Sequence, residues 1–565
     1  MIRYAYTVIL IFALCLAEGN TSKAQEAVGD TTSIPTVVIR STPVRDTLKN
    51  IPAGVAVQKI DILTRKEGGV ITSALNQIPG VFMQQGALNT NRISIRGIGS
   101  RSQYSTNRVK AYIDGIPIST AAGTTVLEDI DPNMLESVEI IKGPASSIYG
   151  TGLGGVINLY TEEHPEATIG AGATIGSFGL EKYSLNANLE KNESSVTAGF
   201  NQVKSDGFRD NSEYERQSLL LKGRHAFSER TSLSALAILT RVKAFIPSSL
   251  SREDFENAPL SAAANWEAAR GYESYDRLVA GLSLEHRFNA NLTNTTSIFT
   301  QIRDAYEPRP FDILAENRVG YGGRTRFNLV HNLFGKPAEI AVGGEILFED
   351  YGAEIFENRY EDFPDRGSVQ GEKLSQNRQF RQNLNGFIQE RVRLSGRWIL
   401  EAGLNLNSTG YELIDEMPSE YLDQSGSYRY ETIASPRVGV LYKLRPERVL
   451  YATVSHGFSA PGVEETLTPS GEINTELKPE TGINYEAGMK ADWFGGLLYT
   501  ELALYTIQIE NLLVAQRIAE DRYIGINAGE TTHSGIEALV SLRRTIGSSW
   551  LVAPYLMGSL NHYRF

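Results

Sequence analysis

The stretch from Pro79 to Thr161 decides the fold. It reads PGVFMQQG at 79–86, RISIRGIGSRS at 92–102, VKAYIDGIPI at 109–118 and LESVEIIKGPASSIYGTGLGGVINLYT at 135–161. These runs are short, β-prone and separated by turn residues. Asp114-Gly115 is a pair that a type I′ hairpin prefers, because both of its central residues need positive φ. The stretch therefore predicts a small domain built from short strands.

The first residues predict export. Arg3 precedes an apolar stretch from Val8 to Ala17, and Ser22-Lys23-Ala24 places small residues around a cut before Gln25. Residues 1–24 thus have the pattern of a secretory signal peptide, which is too short to span a bilayer as a helix. The only cysteine, Cys15, lies inside this segment, so the mature chain is expected to need neither disulfides nor a thiolate nucleophile.

From Thr168 to Phe565 the sequence alternates apolar and polar residues in segments joined by unequal connections. Short links are predicted at 190–194, 228–230, 289–291, 334–337, 395–396, 444–447, 494–496 and 545–548. Long polar links are predicted at 205–215, 243–277, 306–321, 350–380, 408–430, 458–482 and 512–531. An outer-membrane barrel sorts its connections in this way, with short periplasmic turns and long external loops. We count about seventeen strands.

The ordered blocks of residues 79–161 resemble the plug domain of TonB-dependent outer-membrane receptors. Four blocks of the second half resemble iron-siderophore receptors: Gly457–Pro461, Asn474–Glu480, Tyr485–Gly488 and Asn527–Glu537. The resemblance implies an all-β membrane protein, in which a transmembrane antiparallel barrel of 22 strands surrounds an α+β plug. We therefore expect a tail at 25–46, a plug at 47–161 and a barrel at 168–565. We also expect about five barrel strands to be missing after Phe565, and the alternative is that Phe565 is the aromatic last residue that such barrels typically carry.

The tail contains an isolated β-prone segment that resembles a TonB box, the element such receptors offer to their energising partner. Its residues are Ile34, Pro35, Thr36, Val37, Val38, Ile39 and Arg40. A short strand of this kind suits recognition by strand addition, in which backbone bonds give affinity and alternate side chains give specificity. The alternative is that the segment forms the first strand of the plug itself.

Candidate site residues come from the same resemblance. Within the plug, Arg96 and Arg108 are candidates for ion pairs with the barrel acids Glu465 and Glu486, against the alternative of ordinary surface charge. Polar and aromatic groups that could face an external vestibule are the candidate ligand contacts: Gln85, Arg101, Tyr104, Tyr306, Arg309 and Arg318.

The functional expectation is import of a scarce ligand, a ferric siderophore or ferric citrate, driven by a TonB energy-coupling complex. Cobalamin is the alternative ligand, and a passive porin or structural barrel is the alternative class. The net charge of −12 argues against nucleic acid as a partner. Gly150 to Gly155 fits G-x-G-x-x-G but lacks the context of a dinucleotide site, and no catalytic constellation or resident cofactor is expected. The expected location is the bacterial outer membrane, as a monomeric barrel.

Overall fold

The computed structural model describes residues 38–42, 46–60, 70–101, 106–161, 168–418, 423–461, 474, 476–519, 522–546 and 550–565. The expected signal peptide and residues 34–37 of the expected TonB box lie outside this set. No helix among the described residues is long and apolar enough to cross a membrane.

Within its described residues, the N-terminal part is a small domain of nine short strands, two short α-helices and two 3₁₀ turns. The strands are β1 (Val38–Ile39), β2 (Asp46–Thr47), β3 (Val55–Lys59), β4 (Val81–Ala87), β5 (Thr90–Ile95), β6 (Val109–Ile113), β7 (Ile116–Pro117), β8 (Ser137–Lys142) and β9 (Gly155–Tyr160). The helices are α1 (Thr72–Leu75) and α2 (Ser146–Tyr149), with 3₁₀ turns at Leu48–Asn50 and Pro132–Met134. Five strands form a mixed sheet in the order β3-β8-β9-β6-β7. The predicted hairpin is confirmed, since Asp114 and Gly115 have φ of 46° and 82°.

The remaining chain is dominated by one long antiparallel sheet. Its strands, in chain order, are β10 (Thr168–Ile175), β11 (Glu181–Lys191), β12 (Ser194–Ser205), β13 (Tyr214–Ser228), β14 (Thr231–Phe245), β15 (Tyr272–Arg287), β16 (Leu292–Arg309), β17 (Asp312–Leu333), β18 (Lys336–Asn358), β19 (Gln370–Arg393), β20 (Trp398–Asp415), β21 (Gly426–Arg429), β22 (Ile433–Arg445), β23 (Arg448–Ser459), β24 (Glu480–Trp493), β25 (Leu498–Glu510), β28 (Thr531–Leu542) and β31 (Tyr555–Arg564). The sheet thus has 18 strands. Strands β21 and β22 both pair with β20, so they occupy one position in the sheet. The sheet is therefore about seventeen strands wide, which agrees with the predicted count.

Several smaller elements lie between these strands. Two separate hairpins pair β26 (Leu513–Ala519) with β27 (Arg522–Asn527) and β29 (Arg544–Ile546) with β30 (Trp550–Val552). Helices α3 (Arg252–Asn257) and α4 (Ala264–Ala269) lie in the connection between β14 and β15, and 3₁₀ turns lie at Tyr360–Asp362 and Phe494–Gly496.

The two faces of the long sheet differ in polarity. On β19, Arg381, Asn383 and Asn385 are buried on the inner face, whereas Phe380 and Ile388 are about 40% exposed on the outer face. Large exposed apolar side chains recur on the outer face of most other strands. An apolar outer face with a polar interior is the pattern of a transmembrane β-barrel, in which alternate residues contact lipid.

The predicted connections need correction at several places. The expected long link 306–321 is wrong, because β16 and β17 continue to a turn at residues 310–311. The expected link 512–531 contains the β26–β27 hairpin, and the expected short link 545–548 lies within the small β29–β30 hairpin. Above the membrane no lipid demands an apolar outer face, so strands there lose the alternation by which sequence reveals them.

The N-terminal domain lies inside the curve of the sheet and packs on one part of it through an apolar contact. Six barrel side chains, which we call the apolar wall, join the main core of the small domain: Leu220, Leu236, Ile238, Val279, Phe299 and Leu347. Ile116 packs directly against Gly281, where an added Cβ would lie 2.4 Å from the Ile116 Cδ1. The small domain therefore fills the lumen as a plug.

Candidate functional site

The most deeply buried polar cluster lies where a tight plug turn meets the barrel. Arg96 sits at the end of β5 with φ of 53°, and Gly97 follows with φ of 78°. The Arg96 backbone N–H donates to the Gly80 carbonyl at 2.7 Å, which fixes this turn against the start of β4. The turn directs the Arg96 guanidinium into the barrel wall, where its side chain is fully buried.

Two barrel carboxylates hold this guanidinium. Arg96 Nη1 donates to Glu486 Oε2 at 2.6 Å, and Arg96 Nε donates to Glu537 Oε1 at 2.8 Å. A second plug cation, Lys142, donates to Glu537 Oε2 at 2.6 Å, and the Tyr451 hydroxyl donates to Glu486 at 2.7 Å. Two cations from the plug thus face two anions from the barrel, and we call these four residues the lock.

The lock depends on small residues nearby. A Cβ built on Gly80 would lie 2.0 Å from Glu537 Oε1, and one built on Gly54 would lie 2.8 Å from Glu486 Oε1. Glycine is required at position 80 for a second reason, since its φ of 78° is left-handed. The structure brings the predicted Arg96 and Glu486 together. Sequence analysis missed Glu537, although this residue closes a block that resembled siderophore receptors, and it missed Lys142.

The other predicted plug cation, Arg108, faces a different acid. Arg108 Nη2 lies 3.6 Å from Glu480 Oε2, and Arg101 Nη2 lies 3.6 Å from Glu480 Oε1. Burial lowers the pKa of Arg101, and the charge of Glu480 opposes that effect. The predicted partner Glu465 lies outside the described residues. The barrel acid that contacts both arginines is thus Glu480, which ends the block Asn474–Glu480.

The candidate ligand contacts do not form one group. Gln85 is exposed on β4, and Tyr104 lies outside the described residues. Tyr306 contacts Tyr272 and hydrogen-bonds Gln370 at 3.3 Å, whereas Arg309 forms a pair with Asp312 beside the turn that follows β16. The prediction that Tyr306, Arg309 and Arg318 lie in loops is wrong, because all three lie within strands β16 and β17.

Arg318 belongs to a cluster of guanidinium groups and tyrosines on the inner wall, which sequence analysis did not assemble. Its guanidinium lies 5.3 Å from the centre of the Tyr351 ring, and that of Arg381 lies 4.3 Å from the same ring. Arg303 stacks over Tyr275 at 4.4 Å. Arg277 completes this group, which we call the arginine cluster: Arg277, Arg303, Arg318 and Arg381.

Each arginine of the cluster has an acidic neighbour. Arg381 contacts Glu349 at 2.7 Å, Arg303 contacts Glu316 at 2.9 Å, and Arg277 contacts Asp129 of the plug at 2.8 Å. A small cavity of about 20 Å³, room for about one water molecule, lies between the cluster and plug residues near Thr120. Beside it on the plug, burial raises the pKa of Glu128 to about 8. The cluster can exchange these internal partners for the oxygen atoms of an anionic ligand.

The described end of the expected TonB box is packed on the plug. Val38 and Ile39 pair with Thr47 and Asp46, and Ile39 is fully buried. The backbone N–H of Arg40 donates to Glu139 Oε2 at 3.0 Å. Val38 and Ile39 therefore form a short two-stranded ladder with β2 beside the plug, and Ile34–Val37 lie outside the described residues.

No group of three or more His, Cys, Asp or Glu side chains suited to a metal ion occurs in the part of the chain that the structure describes. The polar sites described above are built from ion pairs, amides and tyrosines. They can bind the outer surface of a ligand that carries its own metal.

Comparisons with known proteins agree with this architecture. Residues 197–565 match the family model "TonB dependent receptor-like, beta-barrel", and residues 47–156 match the "TonB-dependent Receptor Plug Domain". Over 434 residues the chain is 24% identical to the metal-pseudopaline receptor of Pseudomonas aeruginosa, a match that covers 68% of this chain and 58% of that protein. Over 216 residues it is 27% identical to the vitamin B12 transporter of Vibrio vulnificus, covering 35% and 34%. The chain thus spans less than two thirds of these curated relatives.

Solved structures show the same fold. The unliganded ferric citrate transporter superposes with a TM-score of 0.72 at 18% identity, covering 91% of this chain and 79% of that one. The ferripyoverdine receptor of the outer membrane of Pseudomonas aeruginosa gives a TM-score of 0.73 at 18% identity, covering 94% and 74%. The barrel model matches well over half of the chain. Together with the plug match and the lumenal plug itself, this shows that the chain belongs to the TonB-dependent receptors of the bacterial outer membrane and is not an enzyme.

Proposed function

We propose that this receptor imports a ferric chelate, a ferric siderophore or ferric citrate, with proton-motive force transmitted by the TonB complex of the inner membrane. The arginine cluster is the observation that carries the proposal. A ferric chelate of this class supplies its own metal ligands and presents carboxylate, hydroxamate or catecholate oxygens at its surface. Guanidinium groups over tyrosine rings suit such oxygens, because arginine forms paired hydrogen bonds with planar anions.

The domain limits support this mechanism. We assign the plug to residues 47–161 and the barrel to 168–565, since β9 ends at Tyr160 and β10 begins at Thr168. The lock then joins plug to barrel by ion pairs, which can break when the plug is pulled and form again afterwards. A passive porin would have no use for a plug bonded in this way, and a large steady conductance in a planar bilayer would favour the porin instead.

The ligand is tested by uptake in cells that carry the receptor as their sole iron or cobalamin importer. Ferric citrate, a small panel of ferric siderophores and cyanocobalamin are each supplied with a radioactive metal. We expect saturable, energy-dependent uptake of a ferric chelate, reduced at least tenfold by Arg318→Gln combined with Arg381→Gln. The matched control is Arg378→Gln, whose partner Asp350 is exposed on the same sheet. It should leave uptake within twofold of the wild-type value.

Cobalamin is the second candidate ligand, because the vitamin B12 transporter of Vibrio vulnificus is among the similar proteins. A cobalamin also brings its own metal ligands, so it requires no metal-binding side chains from the receptor. If the cells take up cyanocobalamin but none of the ferric chelates, the ferric proposal would be overturned and the transport mechanism would stand.

A further inference from the structure

A row of amides lines the inner wall of the barrel on two neighbouring strands, β19 and β20. We call it the amide seam, and its members are Asn383, Asn385, Gln389, Asn405 and Asn407. Asn385 lies opposite Asn407, and Gln389 lies opposite Gly403. All five side chains are buried, with at most 7% exposed. Gln389 lies six positions after Asn383, so the seam extends about 20 Å along the strand. This length is most of the height of the apolar band around such a barrel.

Polar atoms in the seam are buried without partners. Among the described residues, neither polar side-chain atom of Gln389 or Asn405 has a hydrogen-bond partner, and the same holds for the Ser147 hydroxyl on plug helix α2. Ser147 faces the seam, since a Cβ built on Gly403 would lie 3.5 Å from the Ser147 Cβ. An unpaired buried polar group is destabilising, and nearly all such groups in proteins are paired. Five such atoms at one contact indicate a surface suited to partners that the closed plug does not supply.

The seam side chains also form no hydrogen bonds to the plug among the described residues. Asn383, Asn385 and Asn407 hydrogen-bond one another and Thr409, and no described hydrogen bond joins the five seam side chains to the plug. The contact is nevertheless close, because a Cβ on Gly150 would lie 2.0 Å from Asn385 Oδ1. Helix α2 therefore rests on the seam by contact alone.

The adjoining part of the barrel wall, from β13 to β18, is different. There the apolar wall packs into the core of the plug. Gln301 Nε2 donates to the Pro117 carbonyl at 2.7 Å, and Arg277 Nη2 donates to the Ile118 carbonyl at 2.9 Å. Separating this side would expose apolar surface and break several hydrogen bonds. Separating the seam would hydrate five polar atoms, and the bonds that would break lie on its two flanks: Lys110 to Glu345 on β18 at 2.6 Å, and the Phe458 N–H on β23 to the Ser146 hydroxyl of α2 at 3.4 Å.

We propose that the amide seam is the passage along which the imported ligand crosses the barrel, opened when helix α2 moves away while the apolar wall keeps its hold on the plug. This inference rests on the proposed transport function. Apart from Phe387, which faces inward between Asn385 and Gln389, the seam presents amide donors and acceptors and no charge of its own. It therefore suits a hydrophilic solute rich in oxygen atoms and admits water around it, as a polar pore lining does.

The lower end of the seam is connected to the N-terminal strands. Two residues beyond Gln389, Arg391 Nη1 lies 3.4 Å from Asp46 Oδ2, and Asp46 pairs with Ile39 across the β1–β2 ladder. Arg393 also contacts Asp46, at 3.2 Å. Tension on the chain before β1 therefore acts first on the contacts at the foot of the seam.

The first test needs no ligand. Asn405→Cys in the seam and Val279→Cys in the apolar wall replace inner-wall residues that are both at most 2% exposed. Each purified receptor, in detergent micelles, is treated with a small cationic methanethiosulfonate reagent, with the wild-type protein as the blank. We expect the Asn405→Cys variant to react at least tenfold faster than the Val279→Cys variant. Equal rates, or a slower reaction in the seam, would overturn the inference.

The second test compares two tethers. The pair Ser147→Cys and Gly403→Cys places the Cβ atoms 3.5 Å apart across the seam, within the range of disulfides. The pair Ile116→Cys and Gly281→Cys joins the plug to β15, within the part of the sheet that carries the apolar wall. A Cβ on Gly281 lies 3.0 Å from the Ile116 Cγ1 and hence within about 4.5 Å of its Cβ. Each protein is assayed reduced and oxidised, so that each serves as its own folding control.

Uptake of radiolabelled ferric citrate and cyanocobalamin is the readout. Oxidation should reduce uptake at least tenfold in the seam tether, reversibly with dithiothreitol, and less than twofold in the β15 tether. Uptake through an oxidised seam tether, or an equal block by both tethers, would contradict the passage. If the wild-type receptor imports neither probe, the proposed ligand class fails. The inference about the seam is then still tested by the difference in labelling rate between the Asn405→Cys and Val279→Cys variants.

Discussion

Replacement of Arg96 by glutamine tests the lock directly. The substitution removes the cation that Glu486 and Glu537 share in a fully buried site. Lys142 still pairs with Glu537, and Glu486 keeps two neutral donors, the Tyr451 hydroxyl at 2.7 Å and the Asn484 amide at 3.5 Å. Removing one partner of a buried ion pair costs about 3–5 kcal/mol, and the surviving donors place this case near 3 kcal/mol. At about 1.4 kcal/mol per factor of ten, plug opening should become about 100-fold more frequent.

Hydrogen exchange of the backbone amides in β4 and β5 measures this opening in the purified receptor. We expect these amides to exchange about 100-fold faster in Arg96→Gln than in the wild-type protein, with no change in the heat-modifiable migration of the barrel. The control is Arg241→Gln, which breaks a pair with Asp276 on the exposed face, where solvent screens the attraction and such pairs contribute little. Its plug amides should exchange at the wild-type rate within threefold.

A second variant separates charge burial from general damage. If the cost arises from the unpaired Glu486 carboxylate, then Glu486→Gln added to Arg96→Gln should recover part of the lost protection, because it removes that buried charge. An Arg96→Gln receptor whose plug amides exchange within threefold of the wild-type rate would refute the role of the lock. Equal exchange in the single and double variants would refute the electrostatic explanation.

Three further predictions concern the plug. Burial raises the pKa of Glu128 to about 8, so the folded plug retains a proton that an unfolded chain releases near pH 4.5, and stability falls as pH rises between these values. In Glu128→Gln this loss, up to about 4 kcal/mol, should vanish, and hydrogen exchange at pH 5 and pH 8 would show an unaltered pH dependence if the idea is wrong. Val38→Pro removes the N–H of a strand residue in the expected TonB box, so energised uptake should stop while surface binding persists, and Val38→Ala should transport normally. Gly80→Ala places a Cβ 2.0 Å from Glu537 Oε1 at a left-handed φ, so its plug amides should exchange at least tenfold faster than those of the wild type.

Sequence predicted the features that local chemistry dictates. The Asp114-Gly115 hairpin follows from the φ preferences of two adjacent residues. The strands within the membrane follow from lipid on one face and a polar lumen on the other, which produces the alternation seen on β19. Outside the membrane that constraint disappears, and the extended ends of β16 and β17 were therefore mistaken for a loop.

The sites depend on contacts between distant parts of the chain, which no local pattern encodes. Arg96 and Glu537 are separated by 441 positions, and their contact follows from barrel register and from the room that Gly80 leaves. The resemblance to known receptors suggested Arg96 and Glu486 as partners. It gave no reason to add Lys142, whose role depends on where β8 ends inside the lumen.

Because of their positions along the chain, the contacts at the foot of the seam and the lock should break at different times when the plug is pulled from its N-terminus. Force applied before β1 reaches Asp46 within a few residues of Arg40, whereas Arg96 lies fifty positions further along. The Asp46 pairs with Arg391 and Arg393 at the foot of the seam should therefore break before the lock is loaded. The seam can then open while Arg96 still holds the plug in the barrel. Force spectroscopy on the N-terminus should show an early event that Asp46→Asn lowers in force, followed by a later event that only Arg96→Gln lowers. A single event, altered equally by both substitutions, would mean that the plug leaves as one body.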